Sequence, residues 1–483
     1  MSSKKTEKTA PDRSENTAYV LKAYQFVMTV ALFIAMWVIG RMFVFGTSNA
    51  AKKYDILVAV GFSVFYALMC RTYHAFRLGY MRIRSIVTAQ FLAQGFSVAI
   101  IYVILCIGWV RFLNPLPFLA LFPVYAVGDI LWGYFGNLIF FRTTASKSTL
   151  LIYRNERDKM RFHSMKGKPV ERLYTLSAEV MYNGDFDGIK DVLDGFDAVF
   201  VAGVNSQCRN SILKYCQENG KPGFFIPHVG DVIMRGSEHI ISFDAPVMLV
   251  RRKTLNPEYA FVKRAFDVFA SLVGIIILSP LMTVTALAVK LCDGGPVLYR
   301  QTRLTKDGKP FEILKFRSMR TDAEKDGVAR LSTGEKDDRI TPVGRVMRKV
   351  RLDELPQLFN ILKGDMSVVG PRPERPEIAE QYCAEMPDFG LRLQVKAGLT
   401  GYAQVYGKYN TDPYEKLEFD LMYINSMGIM TDLQLIFKTI SILFSPDSTE
   451  GVAAGQVTAL EFDPDPASER EKAGTDGEQG GAA

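Results

Sequence analysis

Ala265–Val289 reads AFDVFASLVGIIILSPLMTVTALAV, twenty-five residues with one charge, Asp267. About 20 apolar residues cover the hydrocarbon core of a bilayer, so this run is long enough to span one. Ser279-Pro280 lies near its centre. Proline removes a backbone donor and clashes with the preceding turn, so the sequence predicts a break or kink there. Basic residues flank both ends: Lys263 and Arg264 before, Lys290, Arg300 and Arg303 after. A spanning helix would put one cluster on the wrong face under the positive-inside rule. A re-entrant hairpin keeps both on the cytoplasmic side, with Ser279 and Pro280 as its turn. Everything of chemical character lies just beyond this run.

Toward the N-terminus, four more apolar segments appear at Ala23–Gly40, Ile56–Cys70, Ser85–Val110 and Leu116–Phe141. Apolar residues make up 48% of the 483, and their long runs gather in these segments and at 265–291. That distribution predicts a membrane protein with soluble parts rather than a soluble enzyme with one large core. Lys4, Lys5, Lys8, Arg13 and Lys22 precede the first segment, and Arg71, Arg77, Arg82 and Arg84 fill the second connection. This excess places the N-terminus and second connection in the cytoplasm, and four spans return the chain there at Arg142. Asp129 inside the fourth segment is costly in lipid, so it is expected to face another helix. The polar lead MSSKKTEKTAPDRSENT has no small-residue cleavage site after a short apolar core, so it reads as a cytoplasmic lead-in.

The net charge is +7, and the tail after Ser445 holds nine acidic and two basic residues, so the remainder is near +14. Such a balance fits an anionic leaflet or phosphorylated ligands; the flanks of membrane segments account for about half of it. Nothing in it points to nucleic acid. The six cysteines, Cys70, Cys106, Cys208, Cys216, Cys292 and Cys383, show no zinc spacing and read as reduced thiols.

The organisation expected is a lead at 1–22, four transmembrane helices at 23–145, a small α/β domain at 146–255, a catalytic domain at 256–445 and an acidic, disordered tail at 446–483. In 146–255, strand-like LLIY (150–153), DAVFVAG (197–203), GFFIP (223–227) and PVMLV (246–250) alternate with helical stretches such as Ser206–Asn219, which predicts a parallel sheet. A dinucleotide fold needs glycines straight after its first strand. Here RNERDKM follows, so the domain reads as Rossmann-like in shape without nucleotide binding. Leu421–Phe444 is apolar at helix spacing, with polar interruptions at Asp432 and Lys438, and suits the interface plane or a core.

The four histidines are His74, His163, His228 and His239, and none lies beyond 239. That excludes Ser-His-Asp and Cys-His chemistry, and a histidine zinc site, from the C-terminal region. Carboxylate, arginine and lysine chemistry remains, which is the toolkit for phosphoryl transfer with a divalent metal. Asp353 and Glu354 are adjacent, about 100° apart on a helix. One could attack phosphorus while the other holds a metal. Pro356 suits the first turn of a helix running through Leu362. Composition alone favours a capped surface helix with two ordinary first-turn acids. Pro371-Arg372-Pro373 stiffens the backbone around a guanidinium that matches phosphate, and Arg375-Pro376 repeats the pattern. A proline-rich turn with solvated arginines answers it equally well.

KFRSM (Lys315–Met319), DDRITPVGR (Asp337–Arg345), LDELPQLFN (Leu352–Asn360), KGDMSVVGPRP (Lys363–Pro373) and GLTGYAQVYGK (Gly398–Lys408) occur in that order. Together they resemble the bacterial sugar transferases called polyprenyl-phosphate glycosyl-1-phosphate transferases. The resemblance covers about 260–445, and the N-terminal part looks like the large form of that family. It implies a membrane α-helical bundle, a Rossmann-like α/β cytoplasmic domain and a monotopic α/β catalytic domain with a re-entrant membrane helix. The implied setting is the bacterial inner membrane, with the catalytic domain cytoplasmic. The implied reaction moves a sugar-1-phosphate from a UDP-sugar to undecaprenyl phosphate with release of UMP. By this resemblance Asp353 is the nucleophile of a covalent phosphosugar intermediate, and Glu354 helps bind Mg2+. Arg372 and Lys408 contact phosphates, Asp420 is a further polar site candidate, and Lys315, Arg317, Asp338, Arg339, Arg375 and Gln404 are the remaining substrate contacts. A second copy of the chain, as a homodimer, is a candidate partner beside the two substrates and membrane lipid. Where this chain has Lys408 and Thr305 the family often has arginine and glycine. The competing readings are a membrane scaffold or regulator that binds a nucleotide-sugar or partner without catalysis, and a transporter built from the four spans. The intact dyad beside Pro371-Arg372-Pro373 favours the enzyme, and the spans offer no polar pathway beyond Asp129.

Overall fold

The computed structural model describes residues 13–43, 52–163, 169–182, 186–242, 245–321, 323, 337–407 and 412–443. They fall into two compact units that divide between Ile226 and Pro227.

The first unit begins with four long helices: α1 (Arg13–Phe43), α2 (Lys52–Tyr73), α3 (Ile83–Gly108) and α4 (Leu116–Thr143). α1, α2 and α4 each contain one predicted apolar segment and run past it, because polar flanks continue the helix. α3 covers the third segment but ends at Gly108, two residues before its predicted end. All four are long and apolar enough to cross a membrane. α1 packs on α2 and α4, and α3 on α2 and α4. Val27, Leu57, Ile104 and Leu131 are exposed on the outside, as lipid-facing side chains are. Asp129 is buried and accepts hydrogen bonds from Gln25 and Gln94, so it does face other helices.

A small α/β layer follows: β1 (Lys147–Tyr153), α5 (Glu156–His163), β2 (Tyr174–Met181), α6 (Asp187–Asp194), β3 (Ala198–Ala202), α7 (Ser206–Glu218) and β4 (Gly223–Phe225). Its sheet has the order β2-β1-β3-β4, and every pair is parallel. The continuous apolar runs of β1 and β3 are the central strands, buried on both faces. The sequence reading missed β2, whose residues alternate between half-buried and exposed as those of an edge strand do. Between β1 and β3 the strand order reverses, which is where open α/β sheets hold ligands. Asp158 of α5 presses its carboxylate there onto Gly203, whose φ is +67° and whose position has no room for a side chain.

The second unit opens with α8 (Val229–Arg235) and an antiparallel hairpin of β5 (Glu238–Ser242) and β6 (Ala245–Leu249). PVMLV is therefore a strand, but in this hairpin rather than in the parallel sheet. Next comes α9 (Pro257–Asp293), a helix of 37 residues. It ends at Gly294 in the left-handed region, as the DGGP turn predicts. β7 (Leu298–Leu304) and β8 (Pro310–Phe316) form a second antiparallel hairpin around the KDGKP turn. Then come α10 (Pro342–Lys349), α11 (Gln357–Lys363), β9 (Ser367–Val369), α12 (Pro376–Glu385), β10 (Gly398–Thr400), α13 (Tyr402–Tyr406), α14 (Pro413–Asn425) and α15 (Ile429–Leu443). β9 and β10 pair in parallel. Leu421–Leu443 is thus two helices, interrupted at Ser426–Gly428. Asp432 does not interrupt anything: it is buried and bonded. Leu421, Tyr423, Ile424 and Leu435 join a core with Val369, Tyr382 and Phe389, which is the core reading of this segment.

Of the break or kink expected at the centre of α9, the break does not occur. Helical turns continue through Pro280. Pro280 cannot donate to the carbonyl of Ile276, four residues earlier, and the Ser279 hydroxyl takes that carbonyl at 2.8 Å. The adjacent serine thus repairs the bond that proline loses, so the helix is not terminated.

Candidate active site

Asp353 and Glu354 sit on a single 3-10 turn, Leu352–Glu354, directly before Pro356 and α11. Arg351 enters that turn at φ +55°, a left-handed conformation that strains a residue with a side chain. On this turn the two carboxylates share Lys315 and Arg372 as charged neighbours but differ in the rest of their surroundings. Glu354 accepts a 2.7 Å hydrogen bond from Arg372, and Lys315 and Arg351 stand at 3.9 and 3.8 Å. Burial pushes the Glu354 carboxyl up, but Arg372, Lys315 and Arg351 outweigh it and hold it at about 2. Asp353 moves the opposite way. Burial and the neighbouring Glu354 charge raise it, against the pull of Lys315, Arg348 and Arg372. Burial and nearby Arg372 lower the Lys315 ammonium to about 8. One carboxylate is locked as an anion by cations, and the other is kept a stronger base than a free aspartate.

Arg372 reaches Glu354 from the stiff segment that follows β9. The backbone there is held from behind. Arg392 donates to the Arg372 carbonyl at 2.8 Å, and Arg303 donates to the Pro373 carbonyl at 3.1 Å. Arg392 pairs with Asp420 at 2.7 Å and Glu374 at 3.5 Å, and Arg303 approaches Glu374 at 3.9 Å. Gly370 and Gly398 let β9 and β10 meet so closely that a side chain on either would strike the other's backbone. This explains the glycines of KGDMSVVGPRP and GLTGYAQVYGK: they seat the arginine.

α9 is bolted to the same loop. Lys263 donates to the Val369 carbonyl at 3.0 Å and pairs with Asp432 at 2.7 Å. Asp267 accepts from the Val368 amide at 2.9 Å and the Ser367 hydroxyl at 3.1 Å. Arg264 donates to the last carbonyls of α11, Ile361 and Leu362, at 2.7 and 2.8 Å. Charges at the base of an apolar helix thus hold both the element leading from the dyad and the strand leading to Arg372.

Of the predicted site residues, Lys315, Asp353, Glu354 and Arg372 come together. Arg317 does not join them: it pairs with Asp293 at the end of α9. Arg339 makes a two-point fork with Asp337, two residues away, and Asp338 is exposed on that turn, its carbonyl accepting from Arg320. Arg375 opens α12. Asp420 is 1% exposed and lies behind the loop, where burial raises it to about 6 despite Arg392. Gln404 holds its amide buried near Gly401, with no hydrogen-bond partner among the described residues. Lys408 lies outside the described residues. Sequence reasoning missed Arg303, Glu374 and Arg392, because isolated charges this far apart along the chain carry no local pattern.

Residues 258–446 match the family model described as bacterial sugar transferase. Over 193 residues the chain is 42% identical to the UDP-N-acetylgalactosamine-undecaprenyl-phosphate N-acetylgalactosaminephosphotransferase of Aeromonas hydrophila, covering 39% of this chain and 45% of that protein. It is 41% identical over 212 residues to the UDP-glucose:undecaprenyl-phosphate glucose-1-phosphate transferase of Escherichia coli K12, covering 43% and 44%. A Caulobacter vibrioides protein of the same description is 41% identical over 191 residues, which are 38% of this chain and 71% of that one. The matched stretch is less than half the length of the first two relatives. It is the stretch that carries α9, the dyad and the Arg372 loop, and on it the chain belongs to the bacterial sugar transferase family.

Proposed function

We propose that the chain transfers a sugar-1-phosphate from a UDP-sugar to undecaprenyl phosphate through a covalent intermediate on Asp353, starting a lipid-linked glycan. The observation that carries this reading is the asymmetric dyad, with Glu354 locked anionic under three cations beside an Asp353 of raised basicity. An Asp353 oxygen attacks the sugar-bearing phosphorus, the bond from that phosphorus to the bridging oxygen breaks, and UMP leaves with the electron pair. The acceptor's phosphate oxygen then attacks the same phosphorus and displaces Asp353. Arg372 and Lys315 offset the repulsion between two anions as they approach. A covalent step lets a soluble donor and a lipid acceptor use one site in turn.

Magnesium takes one or two carboxylates and completes its shell with phosphate oxygens and water. Among the described residues no group of three His, Cys, Asp or Glu forms a protein-only site. Glu354 fits, since Arg351 stands 3.8 Å from its Oε2, too far to occupy it by a hydrogen bond. When bound there, the ion would supply positive charge to the diphosphate. Incubating the enzyme with sugar-labelled donor and no lipid acceptor tests the scheme. Label retained on the protein with one UMP released supports it. Turnover without retained label would favour a single displacement.

The same reading makes α9 re-entrant, with the second unit cytoplasmic at the inner membrane. One side of α9 packs on this unit along its length. Leu278 meets the Leu358 cluster, and Met282, Ala286 and Val289 meet Phe316 and Met347. Phe269, Ile276, Ile277, Val284 and Leu291 are exposed as a lipid-facing side. A helix held at both ends by one soluble unit supports entry and return on one face. Single cysteines at Lys263 and Lys290 are expected to resist an impermeant thiol reagent in intact cells and react after permeabilisation. Labelling at 290 alone from outside would show a span.

We read the parallel-sheet part of the 146–255 segment as Rossmann-like in shape and without nucleotide. Asp158 brings a carboxylate to the point where a phosphate would lie, and like charges exclude each other. Calorimetric titration of the full-length protein with NAD is expected to show no binding; a micromolar dissociation constant would refute this.

A further inference from the structure

Asp129 of α4 is a carboxyl that the transferase reading does not use. It is 1% exposed within the four-helix bundle. Its Oδ1 accepts from Gln25 of α1 at 2.8 Å and from Gln94 of α3 at 3.0 Å. Among the described residues its Oδ2 finds no hydrogen-bond partner, and neither does the side-chain oxygen of Gln94. Among the described residues no cation offsets its charge. The ionisable groups that face it are Tyr66 and Cys70 from α2 and Tyr125 from its own helix, while α1 and α3 present Gln25, Thr29, Gln90 and Gln94. The two phenols are committed elsewhere: Tyr66 donates to Gln90 at 2.7 Å, and Tyr125 to the Thr29 carbonyl at 3.3 Å.

As an anion, Asp129 would leave two buried acceptors without a donor inside a membrane segment, where water cannot supply one. Turning the Gln94 amide over would instead set its oxygen 3.0 Å from Oδ1, acceptor against acceptor. A single proton removes both deficits. A carboxylic acid and a primary amide each present one donor and one acceptor side by side. Gln94 already donates to Oδ1, and a proton on Oδ2 is the donor that the Gln94 oxygen lacks.

We propose that Asp129 is a proton-binding site, held neutral in a reciprocal acid–amide pair with Gln94, with Gln25 as second donor to its carbonyl oxygen. The pair ties α1, α3 and α4 together without a net charge in lipid. It accounts for both orphaned atoms with one assumption, and it makes asparagine the natural substitute, since its amide offers the same acceptor and donor.

Infrared difference spectra of the full-length protein in membranes test this, with isotope-labelled aspartate to assign bands. The wild type is expected to show a protonated-carboxyl carbonyl stretch that is absent in Asp129→Asn and persists from mildly acidic to mildly alkaline pH. Loss of a carboxylate band in its place would overturn the proposal. Gln94→Leu removes the acid's acceptor, so the Asp129 carbonyl stretch should move to higher frequency. If Gln94→Leu does not fold, Gln94→Glu keeps the shape without the amide donor, and the stretch must again move. An unmoved band in the folded variant would show that Gln94 is not the partner.

Discussion

Asp353→Asn is expected to abolish UMP release and covalent labelling by the donor while donor binding survives. The substitution keeps size and hydrogen-bonding reach but removes the anion that attacks phosphorus. Loss of a covalent nucleophile removes the path rather than slowing it, so the residual rate should fall by at least about 10³-fold. Glu354 keeps its three cations, so the site should stay assembled and bind donor. The wild-type pH profile should rise as the raised Asp353 carboxyl ionises. It should fall again near pH 8, where the Lys315 ammonium, lowered to about 8, loses its charge. Lys315→Arg, which cannot deprotonate in this range, should remove the alkaline limb. Label retained by Asp353→Asn would place the nucleophile elsewhere.

Arg392→Met should be the most destabilising single change near the site and should also slow the reaction. The side chain is 3% exposed over the residue as a whole, donates to the Arg372 carbonyl, pairs with Asp420 and Glu374, and lies over the Phe389 ring at 4.8 Å. Removing one partner of a buried pair leaves an uncompensated charge, at a cost of about 3–5 kcal/mol. Freeing the Arg372 backbone adds a loss in rate, since a shift of about 1 Å in a positioning group costs on the order of 10²-fold. Asp420→Asn in the same chain separates the two effects. The double variant should regain much of the thermal stability, because Asp420's charge is gone and Arg303 still faces Glu374. It should not regain turnover, because nothing holds the Arg372 carbonyl. Recovery of activity together with stability would reduce Arg392 to a charge partner.

These two cases divide what the chain reveals locally from what it hides. The dyad, the Pro371-Arg372-Pro373 segment and the apolar runs are legible because each is a contiguous pattern with a local physical meaning. Span length, proline-stiffened backbone and adjacent acids need no knowledge of distant residues. The parallel sheet was legible in β1 and β3 for the same reason: buried central strands read as continuous apolar runs. β2 was not, since an edge strand buries only one face. The segment at 246–250 reads as a strand, yet only pairing assigned it to the β5–β6 hairpin, because strand character says nothing about the partner.

Pro280 shows the limit from the other side. The sequence predicts a break or a kink, and the rule it uses is correct: one hydrogen bond is lost. Ser279, the residue before the proline, restores that carbonyl's partner, so the helical turns continue. Arg339 is forked onto Asp337, and Asp420 is paired with Arg392 behind the loop, neither of which the local sequence displays. By itself the sequence determined the membrane segments, the acidic pair and the arginine set between prolines. Only the tertiary structure decided which charges face the site and which support it, because burial and most of the pairing depend on distant residues, as Arg392 meets the Arg372 carbonyl 20 positions away and Lys263 meets Asp432 169 positions away.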